Sequence, residues 1–136
     1  MRTGAFVDSA AFIALMDERD FLHSIAMRTL RSLRRVKTRL VTTEWILIEV
    51  VNSFSNVAER ARTIATINDY RDDPELTILK LASSQLESGW DLYSRRTDKD
   101  WSWTDCISFV IMEQQGLETA FTSDHHFLQA GFKKLM

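Results

Sequence analysis

Short apolar runs alternate along this chain with longer stretches of helical length, and that alternation limits the fold more than any single residue does. The runs at 5–7, 39–42, 76–81 and 119–122 have the length and residue types of strands. The stretches 9–17, 22–35, 44–70, 83–95 and 102–115 read as helices, with a short one near 125–130. Strands separated by helices require crossover connections, and these give a parallel sheet covered on both faces. The expected class is α/β. With 136 residues, four glycines, one proline and no internal repeat, the sequence predicts a single domain over 1–136 without a linker.

Composition excludes several classes of function. No segment approaches the ~20 apolar residues of a membrane span, so no membrane association is expected. Met1-Arg2-Thr3-Gly4 leads straight into a short strand, unlike a signal peptide with a long uncharged core. Cys106, the only cysteine, lies in an apolar run and reads as a small buried hydrophobe in a reducing compartment. A cytoplasmic protein is the expectation. A net charge of −2 and a pI near 5.9 argue against nucleic-acid binding by bulk electrostatics, so any such binding has to be local.

Within this frame, four acids stand where carboxylates are normally avoided. Asp8 ends Ala5-Phe6-Val7, and Glu49 interrupts Trp45-Ile46-Leu47-Ile48 and Val50-Val51. Asp105 precedes Cys106-Ile107-Ser108-Phe109-Val110-Ile111-Met112, and Asp124 closes Thr119-Ala120-Phe121-Thr122-Ser123. An unpaired charge in such surroundings costs several kcal/mol or is neutralised by a shifted pKa. No Lys or Arg lies within these segments, which points to a hard divalent cation held by oxygen ligands. Asp8 and Asp124 fall at the carboxyl ends of their strands, where ligands bind in open parallel sheets. Asn52, Ser53 and Asn56 follow Glu49 at i+3, i+4 and i+7 and would extend its polar strip along one helix.

Structural roles compete for the same residues. Asp8 or Ser9 fits an N-cap of the first helix, Asp124 a cap of the segment from His125 to Leu128, and Ser102-Trp103-Thr104-Asp105 the capping-box spacing. Glu44, in the first turn, simply complements a helix dipole. Glu49 lies too deep in its helix for that role.

The four blocks Phe6-Val7-Asp8-Ser9-Ala10, Thr42-Thr43-Glu44-Trp45-Ile46-Leu47-Ile48-Glu49-Val50, Trp103-Thr104-Asp105-Cys106-Ile107-Ser108-Phe109 and Phe121-Thr122-Ser123-Asp124-His125-His126-Phe127 occur in order over nearly the whole chain. In this the sequence resembles the PIN-domain nucleases, and within them the VapC-like toxins of bacterial and archaeal toxin–antitoxin pairs. The resemblance implies a PIN-like three-layer fold, a central parallel sheet flanked by helices, with one acidic pocket. It also implies an endoribonuclease dependent on Mg²⁺ or Mn²⁺, acting on RNA, often homodimeric and restrained by a small antitoxin protein. Asp8, Glu49, Asp105 and Asp124 fall on the family's acidic motif, with Thr104 as a supporting hydroxyl. On this reading Asp8 and Asp105 touch the metal directly, Glu49 is a ligand or orients water, and Asp124 serves a second metal or a bridging water.

Other features admit readings of their own. His125 and His126 follow Asp124, but adjacent histidines rarely reach one site, so a surface or helix-start role is expected for both, and His23 is a weaker candidate still. On 22–35, Leu22, Ile25, Ala26, Leu30 and Leu33 read as a buried stripe opposite Arg28, Arg31 and Arg35, a solvated face or an RNA-backbone contact. Trp90, Trp101 and Trp103 suit core or dimer packing, with base stacking as the alternative. A phosphotransferase that uses Asp8 as nucleophile would want an acid at position 10, which is Ala. A catalytically silent PIN-like scaffold, its acids serving a partner's Arg, is the main rival to an enzyme.

Overall fold

The computed structural model describes residues 3–136. The elements in chain order are β1 (Gly4–Val7), α1 (Ser9–Met16), α2 (His23–Arg35), β2 (Arg39–Thr43), α3 (Glu44–Ser53), α4 (Val57–Asp72) and β3 (Leu76–Leu79). They continue with α5 (Ser83–Arg95), α6 (Trp103–Gln114), β4 (Thr119–Phe121), α7 (His126–Gln129) and β5 (Lys133–Leu135). All strand pairs are parallel, in the order β3-β2-β1-β4-β5. The chain winds outward from β1 to β3, then returns to the other side of β1 to lay down β4 and β5. Helices α1 to α4 pack among themselves and α5 to α7 among themselves. With right-handed crossovers, that reversal sets the two groups on opposite faces of the sheet.

β1 is central, so its residues are apolar on both sides: Ala5, Phe6 and Val7 are buried, and so are Leu40, Val41, Ala120 and Phe121 beside them. In register, Phe6 faces Val41 of β2 and Ala120 of β4. The Thr42 hydroxyl donates to the Val7 carbonyl (2.8 Å), a cross-strand tie at the carboxyl end of the central pair. An aromatic chain fills the layer toward α6 and α7. Phe127 packs at 6.3 Å from Phe6 and 5.0 Å from Phe109, and Phe109 lies 5.1 Å from Trp101. A four-residue helix has little stability alone, and it is the fully buried Phe127 that fixes α7.

The α/β class and the parallel sheet agree with the sequence, while several boundaries differ. The stretch 44–70 is two helices, parted at Phe54-Ser55-Asn56, where Phe54 turns into the core and the Asn56 side chain caps α4 by accepting from the Glu59 amide (3.0 Å). Apolar residues on both sides hide a break that a capping Asn creates. Asn56 therefore does not extend the polar strip of Glu49. β3 ends at Leu79, two residues short of the expected run. β5 carries two lysines in three residues and gives no apolar signal; it is an edge strand, where lysine is common. In α2, Arg28, Arg31 and Arg35 are exposed as expected, but Ile25 is exposed too and only Ala26 is fully buried.

Helices α5 and α6 make the most extensive helix contact, and Gly89 sets their approach. A Cβ at Gly89 would lie 2.6 Å from Ile107 Cγ1 and 3.1 Å from the Ile107 backbone. Gly89→Ala should therefore push α6 outward and lower stability by roughly 1–3 kcal/mol, read as an earlier urea midpoint with an unchanged slope.

Candidate active site

Asp8 follows β1 directly and occupies the N-cap position of α1, yet its side chain makes no cap bond. It is 5% exposed, with its amide donating to the Phe121 carbonyl (3.1 Å) and its Oδ2 accepting from the Thr122 hydroxyl (2.8 Å). Burial raises its carboxyl pKa to about 6, opposed by the hydrogen bonds from Thr122 and the Ser9 amide and reinforced by the charges of Asp105 and Asp124. These three acids thus share one electrostatic neighbourhood, at the point where β1 and β4 send the chain to opposite sides of the sheet.

Asp105 comes from the start of α6, where the capping box is present in full. The Ser102 hydroxyl accepts from the Asp105 amide and Asp105 Oδ2 accepts from the Ser102 amide, each at 3.0 Å. The capping role and the placement in the cluster coexist, because the box fixes the carboxylate that the cluster uses. Asp124 follows β4 by way of Thr122, whose hydroxyl accepts from the Asp124 amide (3.0 Å), while Asp124 Oδ1 accepts from the His126 amide (2.9 Å).

His126 joins the two. Its Nδ1 stands 3.0 Å from Asp105 Oδ2 and 3.3 Å from Asp124 Oδ1, so a proton on Nδ1 is donated to that carboxylate pair. Both histidines stand at the start of α7, as the surface or helix-start expectation has it, but only His125 is a surface residue. The turn after Asp124 directs His126 inward with Phe127 while His125 stays exposed, 3.8 Å from Asp124. Asp124, His125 and His126 also form a possible three-ligand cluster, their ligand atoms within 4.8 Å of one another. Thr122 is the other residue the sequence does not single out; a threonine directly after an apolar strand and two residues before an acid is its only signal.

Glu49 stands beside this group through α6. The Thr104 hydroxyl donates to Glu49 Oε1 (2.9 Å) and accepts from the Trp45 indole N–H (2.9 Å). Glu49, Asn52 and Ser53 lie on α3 as expected, with Asn52 and Ser53 exposed. Glu44 is exposed in the first turn.

Two properties suit the cluster to a hard cation. Among the described residues no Lys or Arg pairs with any of the four acids. Asp105 and Asp124 each engage one carboxylate oxygen with protein donors, while Asp105 Oδ1 and Asp124 Oδ2 accept no hydrogen bond among the described residues. The protein aims and holds these carboxylates and leaves oxygens over, a donor set that matches Mg²⁺ or Mn²⁺. A cavity of about 460 Å³ lies elsewhere, with an apolar floor of Leu47, Ile48, Val51, Ile67 and Ile78 and with Glu44, Asn52, Arg71 and Lys80 also in its lining. Its lining offers few converging oxygens, and a small ion needs those rather than volume.

The PIN domain family model matches residues 5–133 of the chain. The 23S rRNA-specific endonuclease VapC20 of Mycobacterium tuberculosis is 24% identical over 127 residues, which cover 93% of this chain and 94% of the relative. The crystal structure of M. tuberculosis VapC20, described as a sarcin–ricin loop cleaving toxin, matches with a TM-score of 0.83 at 23% identity over 95% of this chain and 96% of that one. FitAcB from Neisseria gonorrhoeae matches with a TM-score of 0.72 at 13% identity, covering 97% and 96%. At those identities the structural matches speak for the fold.

The raised pKa of Asp8 has a stability consequence in metal-free protein. Unfolded, the carboxyl loses its proton near 3.8, and folded near 6, so the native state holds more protons between those values. Stability contributed by this group is present below pH ~4, falls as pH rises toward about 6, and stays reduced above. Asp8→Asn keeps an oxygen for Thr122 and removes the charge. It should flatten that part of the profile and raise stability at pH 7 by up to about 3 kcal/mol, read by urea unfolding in EDTA across pH 4–8. An unchanged profile would mean that Asp8 is not desolvated.

Proposed function

The chain belongs to the PIN-domain family, and we propose that it is a metal-dependent endoribonuclease acting as the toxin of a VapBC-type toxin–antitoxin pair. The observation that carries this reading is the desolvated Asp8 beside Asp105 and Asp124, with no Lys or Arg among the described residues paired to them. Asp8 and Asp105 hold Mg²⁺ or Mn²⁺, Asp124 holds a second ion or a bridging water, and Glu49 is a ligand or orients the attacking water. The metal, when bound, supplies a water of lowered pKa and relieves the charge on the phosphate. The residues around it do the positioning. Thr104 aims Glu49, Thr122 aims Asp8, the Ser102 amide and the His126 ring hold Asp105 by Oδ2, and the His126 amide holds Asp124 by Oδ1.

The acids act as ligands and positioners here, not as carriers of the proton released by the water. Because VapC20 is named for cleavage of 23S rRNA and of the sarcin–ricin loop, an exposed loop of a structured RNA is the first substrate to try. No helix among the described residues is long and apolar enough to cross a membrane. A cytoplasmic, homodimeric single domain over 1–136 fits the reading.

Cleavage of RNA by the purified chain should require Mg²⁺ or Mn²⁺ and stop with EDTA. Asp105→Asn, which keeps shape and removes charge, should lower the rate by at least about a hundredfold with folding intact. His126→Ala should cost about ten- to a hundredfold through looser metal binding, seen as a higher metal concentration at half-maximal rate. If Asp105→Asn cut RNA like the wild type, the proposed reaction would be wrong.

Control in trans follows from the same pocket. A small antitoxin is expected to lay its C-terminal segment along the site and insert an Arg among Asp8, Glu49, Asp105 and Asp124, displacing metal by bidentate pairing. Calorimetry with the product of the adjacent small gene should show weaker binding by an Asp8→Asn/Asp105→Asn double variant than by the wild type. Equal affinity would place the partner elsewhere.

A further inference from the structure

Large aromatic rings reach solvent beside the acidic cluster. Trp45 of α3, Trp90 and Tyr93 of α5, and Trp103 of α6 are each 42–46% exposed, whereas Trp101 is buried against Phe109. Trp90 stacks on Tyr93 at 5.3 Å and meets the edge of Trp103 at 5.1 Å. Trp45 and Trp103 line a crevice of about 130 Å³ together with Leu86, Thr104 and Ile107.

These rings are fixed in place and wired to the site. The Trp45 indole N–H donates to Thr104, which in turn donates to Glu49, each at 2.9 Å. The Trp103 N–H donates to the Leu86 carbonyl at 3.2 Å. Trp103 is the first residue of α6 and Asp105 the third, so one capped helix start carries both. With their N–H groups engaged inside the protein, these indoles present ring surface and no free donor. The crevice lining contains no cation, and Glu87 and Asp91 lie on the exposed side of α5 near Trp90. A phosphate has nothing to bind there. A neutral, flat, aromatic group does.

We propose that the crevice between Trp45 and Trp103 receives, by stacking, an unpaired base of the nucleotide next to the scissile phosphate. This rests on the ribonuclease reading above and adds a substrate subsite to it. The π-face of any base meets the requirement, so the subsite selects for an unstacked, single-stranded nucleotide more than for a sequence. Trp45 lies two hydrogen bonds from Glu49 and Trp103 stands two residues before Asp105 on the same helix start, so the base they hold belongs to a nucleotide adjacent to the one being cut.

The test uses the full chain with Mg²⁺ and a short single-stranded RNA of mapped cleavage site, intact or with an abasic ribose at either flank of the cut. Trp103→Ala should lower kcat/KM by about five- to a hundredfold, mainly through KM, and Trp103→Phe should restore most of it. The loss should be the same at low and high salt, because stacking releases no counterions. Wild type should lose a similar factor on one abasic substrate, and Trp103→Ala should lose nothing further on it. If Trp103→Ala matches wild type, or still discriminates intact from abasic RNA as wild type does, the subsite is overturned. If Trp103→Ala turns a wild-type dimer into a monomer in sedimentation and leaves that discrimination intact, the rings are an interface between copies and the subsite is overturned again. Absence of any wild-type cleavage would instead count against the ribonuclease reading. The quenching of 2-aminopurine in the same RNA then decides: Trp103-dependent quenching supports the stacking subsite, and no quenching ends it.

Discussion

The carboxylate of Asp8 is held out of water at the end of the central strand, and the neighbouring elements are arranged around the cost of keeping it there. Desolvation outweighs the hydrogen bonds that oppose it and lifts the pKa to about 6. Two of the groups that raise it further, Asp105 and Asp124, come from elements far away in sequence. Evolution of a core for stability alone would place an apolar residue at the end of β1, because breaking or omitting a partner for a buried charge is destabilising. The cluster therefore concentrates like charge that a bound cation would relieve.

The rest of the cluster shows how that repulsion is contained. Each acid gives up an oxygen to a nearby donor that also has a place in the framework of the fold. Thr122 directly follows β4, Ser102 caps α6, and the His126 amide opens α7. The buried Phe127 anchors α7 against Phe6 and Phe109, and so it sets the position of His126 between Asp105 and Asp124. Aromatic packing in the core thereby fixes the angle of carboxylates at the rim. Donors that serve two ends in this way resist loosening, because removing one frays a helix start as well as a carboxylate.

What can be read from the sequence follows the same division. Parallel strands and their apolar runs are legible because burial on both faces leaves a continuous signal, and the four acids stand out against it. Asp105 looks like a cap and is one; no local pattern shows that a capping box and a cluster carboxylate are the same group. His126 escapes a sequence reading because its direction depends on a four-residue helix that only Phe127 holds down, a tertiary constraint without a local signature. The break at Asn56 is hidden by apolar residues around it, and β5 by its lysines, since an edge strand answers to pairing and not to burial.

The charge of the molecule limits how RNA is held in the proposed reaction. A net charge of −2 offers little long-range attraction, and the acidic cluster repels a phosphate backbone until a cation is bound. Among the described residues the rings around Trp45 and Trp103 carry no opposing charge of their own, so their affinity for a base is nearly independent of ionic strength. Metal and stacking then divide the work. On the proposed reading Asp8, Asp105 and Asp124 would hold the cation that offsets the charge of one phosphate, and the adjacent base, once out of its stack, would meet a neutral surface on the same helix start. On that reading a duplex would gain the first contact but could not make the second without unstacking, so discrimination in favour of loops would arise from the geometry of α6 rather than from any base-specific hydrogen bond.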